Sequence, residues 1–231
     1  MVAQALPDLG RVIIEPSPTF ARLKEKPNGW VPVLVSILLS AILMYWWIAT
    51  EDFTWLREHM IAAHPQMKPE EQEAMARFLT PPKMMMTSIG GVVVGTLGLL
   101  AITAAYFLIA ARMIGSEIGY GKWFAFVAWT SVPRLLVVPL MALQVATSHG
   151  QLAMEDMNMV SLNFLIFHLP LSHPWASFMN SLDLATFWTV ALATVGMKAW
   201  TGRPTGTCLT IAAIPYLVVY GLWAAKIAFL G

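Results

Sequence analysis

Three long stretches without a charged side chain dominate this sequence, from Lys26 to Glu51, from Lys83 to Arg112 and from Arg203 to Lys226. Each reaches the roughly 20 residues that an α-helix needs to cross a hydrocarbon core of about 30 Å. A water-soluble domain could not bury so much apolar surface: 58% of the 231 residues are hydrophobic and only 12% charged, with a mean hydropathy of +0.65. The chain is therefore expected to be an all-α polytopic membrane protein.

Two further spans complete the pattern. One runs from Trp123 to about Ala146 and is interrupted only by Arg134. The other must end near Lys198, but its uncharged part, Leu184 to Met197, would reach only about 21 Å, so it is expected to begin near Trp175 and to carry Asp183 into or beside the lipid. Residues 1–29 then form an N-terminal segment, and residues 30–230 a five-helix domain. The expected spans are about 30–49, 85–111, 123–146, 176–198 and 206–228, with outer segments 50–84 and 147–175.

Basic residues orient the bundle. Arg11, Arg22, Lys24 and Lys26 precede the first span, Arg112 and Lys122 flank the turn between the second and third, and Lys198 and Arg203 the turn between the fourth and fifth, whereas residues 148–175 have no Lys or Arg. The positive-inside rule then assigns a cytoplasmic N-terminus and, after five passes, a C-terminus outside. Trp30 and the pair Trp46, Trp47 lie about 25 Å apart along a helix, as interfacial anchors should, and Trp123, Trp175 and Trp200 fall at other expected helix ends.

The first 29 residues lack the charged start and long apolar run of a signal peptide. They read as two amphipathic pieces split by prolines, the second capped by Ser17 with Pro18 at its first position and Phe20 and Leu23 on one face. In the first outer segment, "EDFTWLREHMIAAHP" and "KPEEQEAMARFLTPP" each suit a short helix bounded by proline. In the second, the apolar core of "SLNFLIFHLPLSHP", residues 160–172, is too short to cross and is expected to be interfacial or re-entrant unless it hides a sixth span.

Chemistry-bearing motifs are few. The five histidines, His59, His64, His149, His168 and His173, all fall outside the spans, without the i, i+4 spacing that sets two rings on one helix face, so no metal site is expected. "IGSEIGYGKW" fails the spacing of a phosphate-binding loop and reads as a tight helix reversal. No hydrolase constellation is present, Cys208 is the single cysteine, and nothing points to an enzyme, a cofactor or nucleic acid.

Two features inside the spans invite function. Gly91, Gly95 and Gly98 make a close-packing helix face, expected to meet another helix either of this chain or of a partner, a second copy included. Arg134, preceded by Pro133, is costly in lipid, by at least about 2.5 to 3.5 kcal/mol unless paired or wetted. Asp183 is its expected partner, directly or through water. Pro133 and Pro215 each free a backbone carbonyl, and Trp188, Tyr216 and Tyr220 lie at similar depth, so the region is either a structural pin or a polar cavity.

The order of motifs is similar to that of the Yip domain family, named for Ypt-interacting proteins. "PSPTFARL" precedes the first span, "IGSEIGYGKWFAFVAWTSVP" leads into a span with a central proline, and "LDLATFWTVALATVGMKAWTGRPTG" is followed by "IAAIPYLVVYGL". The likeness begins at about Arg11 and implies a five-helix integral membrane domain with a cytoplasmic N-terminus. Eukaryotic members bind Rab-type GTPases through longer cytosolic N-terminal regions. Some bacterial members accompany ABC-type exporters with a periplasmic adaptor. The short N-terminal segment here resembles the second group, which implies an accessory or scaffold protein of a bacterial inner membrane. The alternative is a small transporter, channel or lipid-handling protein working around Arg134.

Overall fold

Helices account for most of the computed structural model, which describes residues 2–64 and 66–230. Two short helices come first, α1 (Val2–Ile14) and α2 (Pro16–Glu25), followed by the long α3 (Trp30–Thr50). Beyond it lie α4 (Phe53–Ala63), α5 (Pro69–Phe78) and the 33-residue α6 (Pro81–Met113). The third path is α7 (Tyr120–Thr130), a 3-10 turn over Val132–Leu136, and α8 (Val137–Thr147). The chain ends with α9 (Ala176–Ser181), α10 (Leu184–Thr201) and α11 (Thr205–Leu230).

Four of these paths are long and apolar enough to cross a membrane: α3, α6, α7 through α8, and α11. With 18 residues, α10 is shorter and more polar, carrying Thr186, Thr189, Thr194 and Lys198, yet it runs the length of the bundle. At one end the Trp200 indole donates to the carbonyl of Phe20 in α2 (2.8 Å). At the other, Asp183 pairs with Ser161 in an isolated antiparallel bridge. The expected helix from Trp175 is thus broken at Leu182 and Asp183, because the Asp183 carboxylate is used as an N-cap and accepts the amide of Thr186 (2.6 Å).

Segment 160–172 holds no span. Residues 163–167 form a single π-turn that ends at His168 in a left-handed conformation, and Phe164, Leu165, Ile166 and Phe167 are all exposed beside it. Five residues of helix could not cross a bilayer.

Two apolar clusters hold the ends. Near the N-terminal helices, Phe126 packs on Phe107 (5.1 Å), Trp123 (5.2 Å), Trp200 (5.1 Å) and Phe20 (5.6 Å), joining α2, α6, α7 and α10. Trp123 and Trp200 are therefore buried in this cluster rather than anchored at a membrane interface, and Trp47, expected as an anchor with Trp46, is fully buried too; Trp30 and Trp46 are exposed, as anchors should be. The N-terminal segment is part of the core too, because Phe20 and Val12 are fully buried. Its second helix starts at Pro16 with Glu15 as N-cap, not at Ser17, and no side chain caps it.

Gly196 makes this packing possible. A Cβ there would stand 2.8 Å from the Phe126 ring and 2.9 Å from the Phe20 ring. Gly196→Leu should lower stability by about 1–3 kcal/mol through overpacking. It should also free α2, seen as a lower melting temperature in detergent and faster tryptic cleavage after Arg22 and Lys24.

At the opposite face, Leu43, Trp47, Ile48, Leu56, Met84, Val145 and Leu152 form the second cluster. Both backbone groups of Leu152 are held by the end of α3: its carbonyl accepts from the Trp47 indole (3.0 Å) and its amide donates to Glu51 Oε2 (3.3 Å). The chain turns there at Gly150, whose φ is +80° and where a Cβ would stand 2.6 Å from the Thr50 carbonyl oxygen, so there is no room for a side chain. Burial pushes the carboxyl of Glu51 up, and Oε1 has no partner, so its ionised form opposes folding. Stability of this face should rise as pH falls towards the carboxylate range, because the native group takes up its proton before the unfolded one. Glu51→Gln should then melt higher than the parent at about pH 7.5 and no higher at about pH 4.

Candidate functional site

Between the two clusters lies a cavity of about 400 Å³ with walls from α3, α6, α7, the 3-10 turn, α8, α10 and α11. Pro133 shapes it. Proline has no amide hydrogen to continue the α7 ladder, so the helix tightens into a 3-10 turn and Arg134 Nα–H bonds to the Ser131 carbonyl (3.1 Å). Pro133 itself is buried behind the wall, and the Arg134 side chain lines the cavity.

Arg134 and Asp183 do not form the expected ion pair. The ion pairs among the described residues are those of Asp8 with Arg11 and Arg22, His59 with Glu155, and Arg77 with Glu73. Besides capping α10, Asp183 accepts the Asn158 amide on Oδ2 (3.1 Å), and these neutral donors hold it in the loop region beyond the helix start. Tyr216 lines the cavity within electrostatic reach of both charges. Trp188 departs from expectation: it is exposed on the outside of α10 and takes no part in the wall.

Hydroxyls line the same cavity as Arg134, whose side chain is exposed within it. Thr130 and Ser131 donate to the Val127 carbonyl (3.0 and 2.8 Å), Thr189 to that of Ala185 (2.8 Å), and Tyr220 to that of Ser181 (2.8 Å). Ser36, Ser40, Thr96, Thr103 and Tyr216 make no hydrogen bond to the described residues and remain available. Sequence reasoning missed the first four. Their spacing carries the signal, because Ser36 and Ser40, like Thr96 and Thr103, recur at helical intervals that place them on one face.

Pro215 closes one end. The Ile211 carbonyl, four residues earlier, has lost its usual helix donor and accepts the Tyr106 hydroxyl instead (2.7 Å), which pins α6 to α11. Beyond that pin the two helices border the cavity, and Leu99 of α6 and Val219 of α11 are 59% and 60% exposed at its rim. The opening therefore faces sideways, between helices.

The glycine face of α6 meets no other element among the described residues. A Cβ at Gly91, Gly95 or Gly98 would find no heavy atom within 4 Å, so of the two expected occupants, a helix of this chain or of a partner, the first does not cover this face among the described residues. The histidines stay apart as well, and no three His, Cys, Asp or Glu side chains gather as metal ligands among the described residues.

With this arrangement established, the comparison with known proteins is decisive: the Yip1 domain profile matches residues 10–225. The chain belongs to the Yip1 domain family. It is also similar to membrane protein YknW of Bacillus subtilis (strain 168), at 24% identity over 227 residues that cover 96% of this chain and 91% of that one. No solved structure matches. The Yip1 match takes in the cavity, its Arg134 and the Tyr106–Ile211 pin, while α1 begins before it. Tyr106→Phe should cost about 1 kcal/mol, the net value of one hydrogen bond. Because it also leaves the Ile211 carbonyl unpaired in lipid, thiol labelling of a cysteine at Val219, in a Cys208→Ser background, should become faster as α6 and α11 separate.

Proposed function

We propose that this Yip1 protein is a non-catalytic accessory subunit that seats against another integral membrane complex. The reading sets it in a bacterial inner membrane, N-terminus cytoplasmic and C-terminus outside. Its partner class, implied by the bacterial family members, is an ABC-type export system with a periplasmic adaptor.

One observation carries this reading. Lipid gives little hydrophobic reward for helix association, which depends instead on close backbone approach. The face of α6 best suited to such approach, at Gly91, Gly95 and Gly98, is left open by its own chain. Orientation is supported by the gathering of basic residues at one end of the bundle: Lys122 donates to the Lys24 carbonyl (3.2 Å), and Arg203 to that of Ile114 beside Arg112.

The test uses native membranes. Gly91→Leu with Gly95→Leu should leave the melting temperature of the purified chain unchanged, because the added side chains enter open space. Co-purification of transporter subunits with the parent and their loss from the double variant is the expected result. Recovery of a second copy of this chain alone, or of the same partners with both proteins, would overturn the accessory reading.

A further inference from the structure

The cavity is a separate matter and does not depend on the accessory reading. Its wall carries one full positive charge and no negative one. An arginine at this depth is disfavoured by at least about 2.5 to 3.5 kcal/mol unless an anion or water meets it. The one acid of the spanning region, Asp183, is already engaged by the Thr186 and Asn158 amides.

Five further donors point the same way. Ser36 and Ser40 come from α3, Thr96 and Thr103 from α6, and Tyr216 from α11, each without a hydrogen bond to the described residues. Donors on three helices cannot all be met by the two coplanar oxygens of a carboxylate. A phosphate, with oxygens in tetrahedral directions, can meet an arginine and several hydroxyls at once. The volume of about 400 Å³ takes a headgroup but not the whole of a two-chain lipid. What does not fit must leave by the opening, and that opening is flanked by exposed, apolar Leu99 and Val219 on two membrane-spanning helices.

We infer that this cavity binds an anionic phospholipid, the phosphate on Arg134 and the free hydroxyls, the acyl chains passing between α6 and α11 over Leu99 and Val219. Phosphate in lipid form, rather than free in water, is favoured by the sideways apolar exit. The Tyr106–Ile211 pin blocks the way towards the N-terminal end, and the Tyr220–Ser181 bond stands at the other.

Titration of the purified full chain in a neutral detergent with dioleoyl phosphatidate, read by native mass spectrometry and by melting temperature, tests this. Saturable binding is expected in the parent, and Arg134→Gln should weaken it by about tenfold or more, the loss of one charge-assisted contact. Thr103→Val with Tyr216→Phe keeps side-chain volume and should weaken binding in the same direction. It decides the matter if Arg134→Gln does not fold, and parent-like affinity in the double variant would then overturn the site. Equal affinity in the parent and Arg134→Gln would do the same, as would uncharged dioleoylglycerol binding as tightly as phosphatidate. If inorganic phosphate displaces the lipid at equal concentration, the occupant is a free anion and the lipid assignment fails.

Discussion

The packing of rings around Phe126 is the interaction on which the rest of the structure depends. Lipid tails are as apolar as leucine, so the helices of this bundle gain little from leaving their surroundings and must hold together by shape. Phe20, Phe107, Trp123 and Trp200 supply that shape at one end, each contact worth about 0.5 to 1.5 kcal/mol beyond the area it covers. Gly196 lets the rings close on α10. Because this cluster and the one around Trp47 sit at the two ends, the middle of the bundle is free to open.

That opening is kept from collapse by backbone chemistry. Proline twice removes an amide at membrane depth, and in hydrocarbon the orphaned carbonyl must find another donor. Pro215 leaves the Ile211 carbonyl to Tyr106, which ties α6 to α11 at that level. Pro133 tightens its helix into a 3-10 turn and sets Arg134 on the cavity wall. A kink is here a means of placing a charged group, and the cavity is its result.

Much of the plan was legible in the sequence. The apolar runs gave four of the five spans to within a few residues, the fourth helix starting only at Leu184, while Pro69 and Pro81 bounded α5 and the glycine-bearing turn after Met113 reversed the chain as expected, with Gly115 at a φ of +79°. Less legible was what a polar or aromatic residue does once neighbours from distant sequence are present. Trp123 and Trp200 carry the signature of interfacial anchors, yet become core because α2 folds beneath them. Asp183 is the one acid in reach of Arg134 along the chain, but Asn158, Ser161 and the start of α10 claim it first.

Composition and the spacing of charges determined, without any structure, that lipid surrounds most of this polypeptide, for no arrangement in water could cover so apolar a chain. They determined the order of the helices too, because charged residues bound the long apolar runs. Only the tertiary structure decided which side chains face one another. A helix fixes the direction of a residue relative to its own axis, not the rotation of that axis against its neighbours. That rotation brings Ser36, Thr103 and Tyr216 into the cavity that Arg134 lines, and leaves Trp188 and the glycines of α6 facing outward.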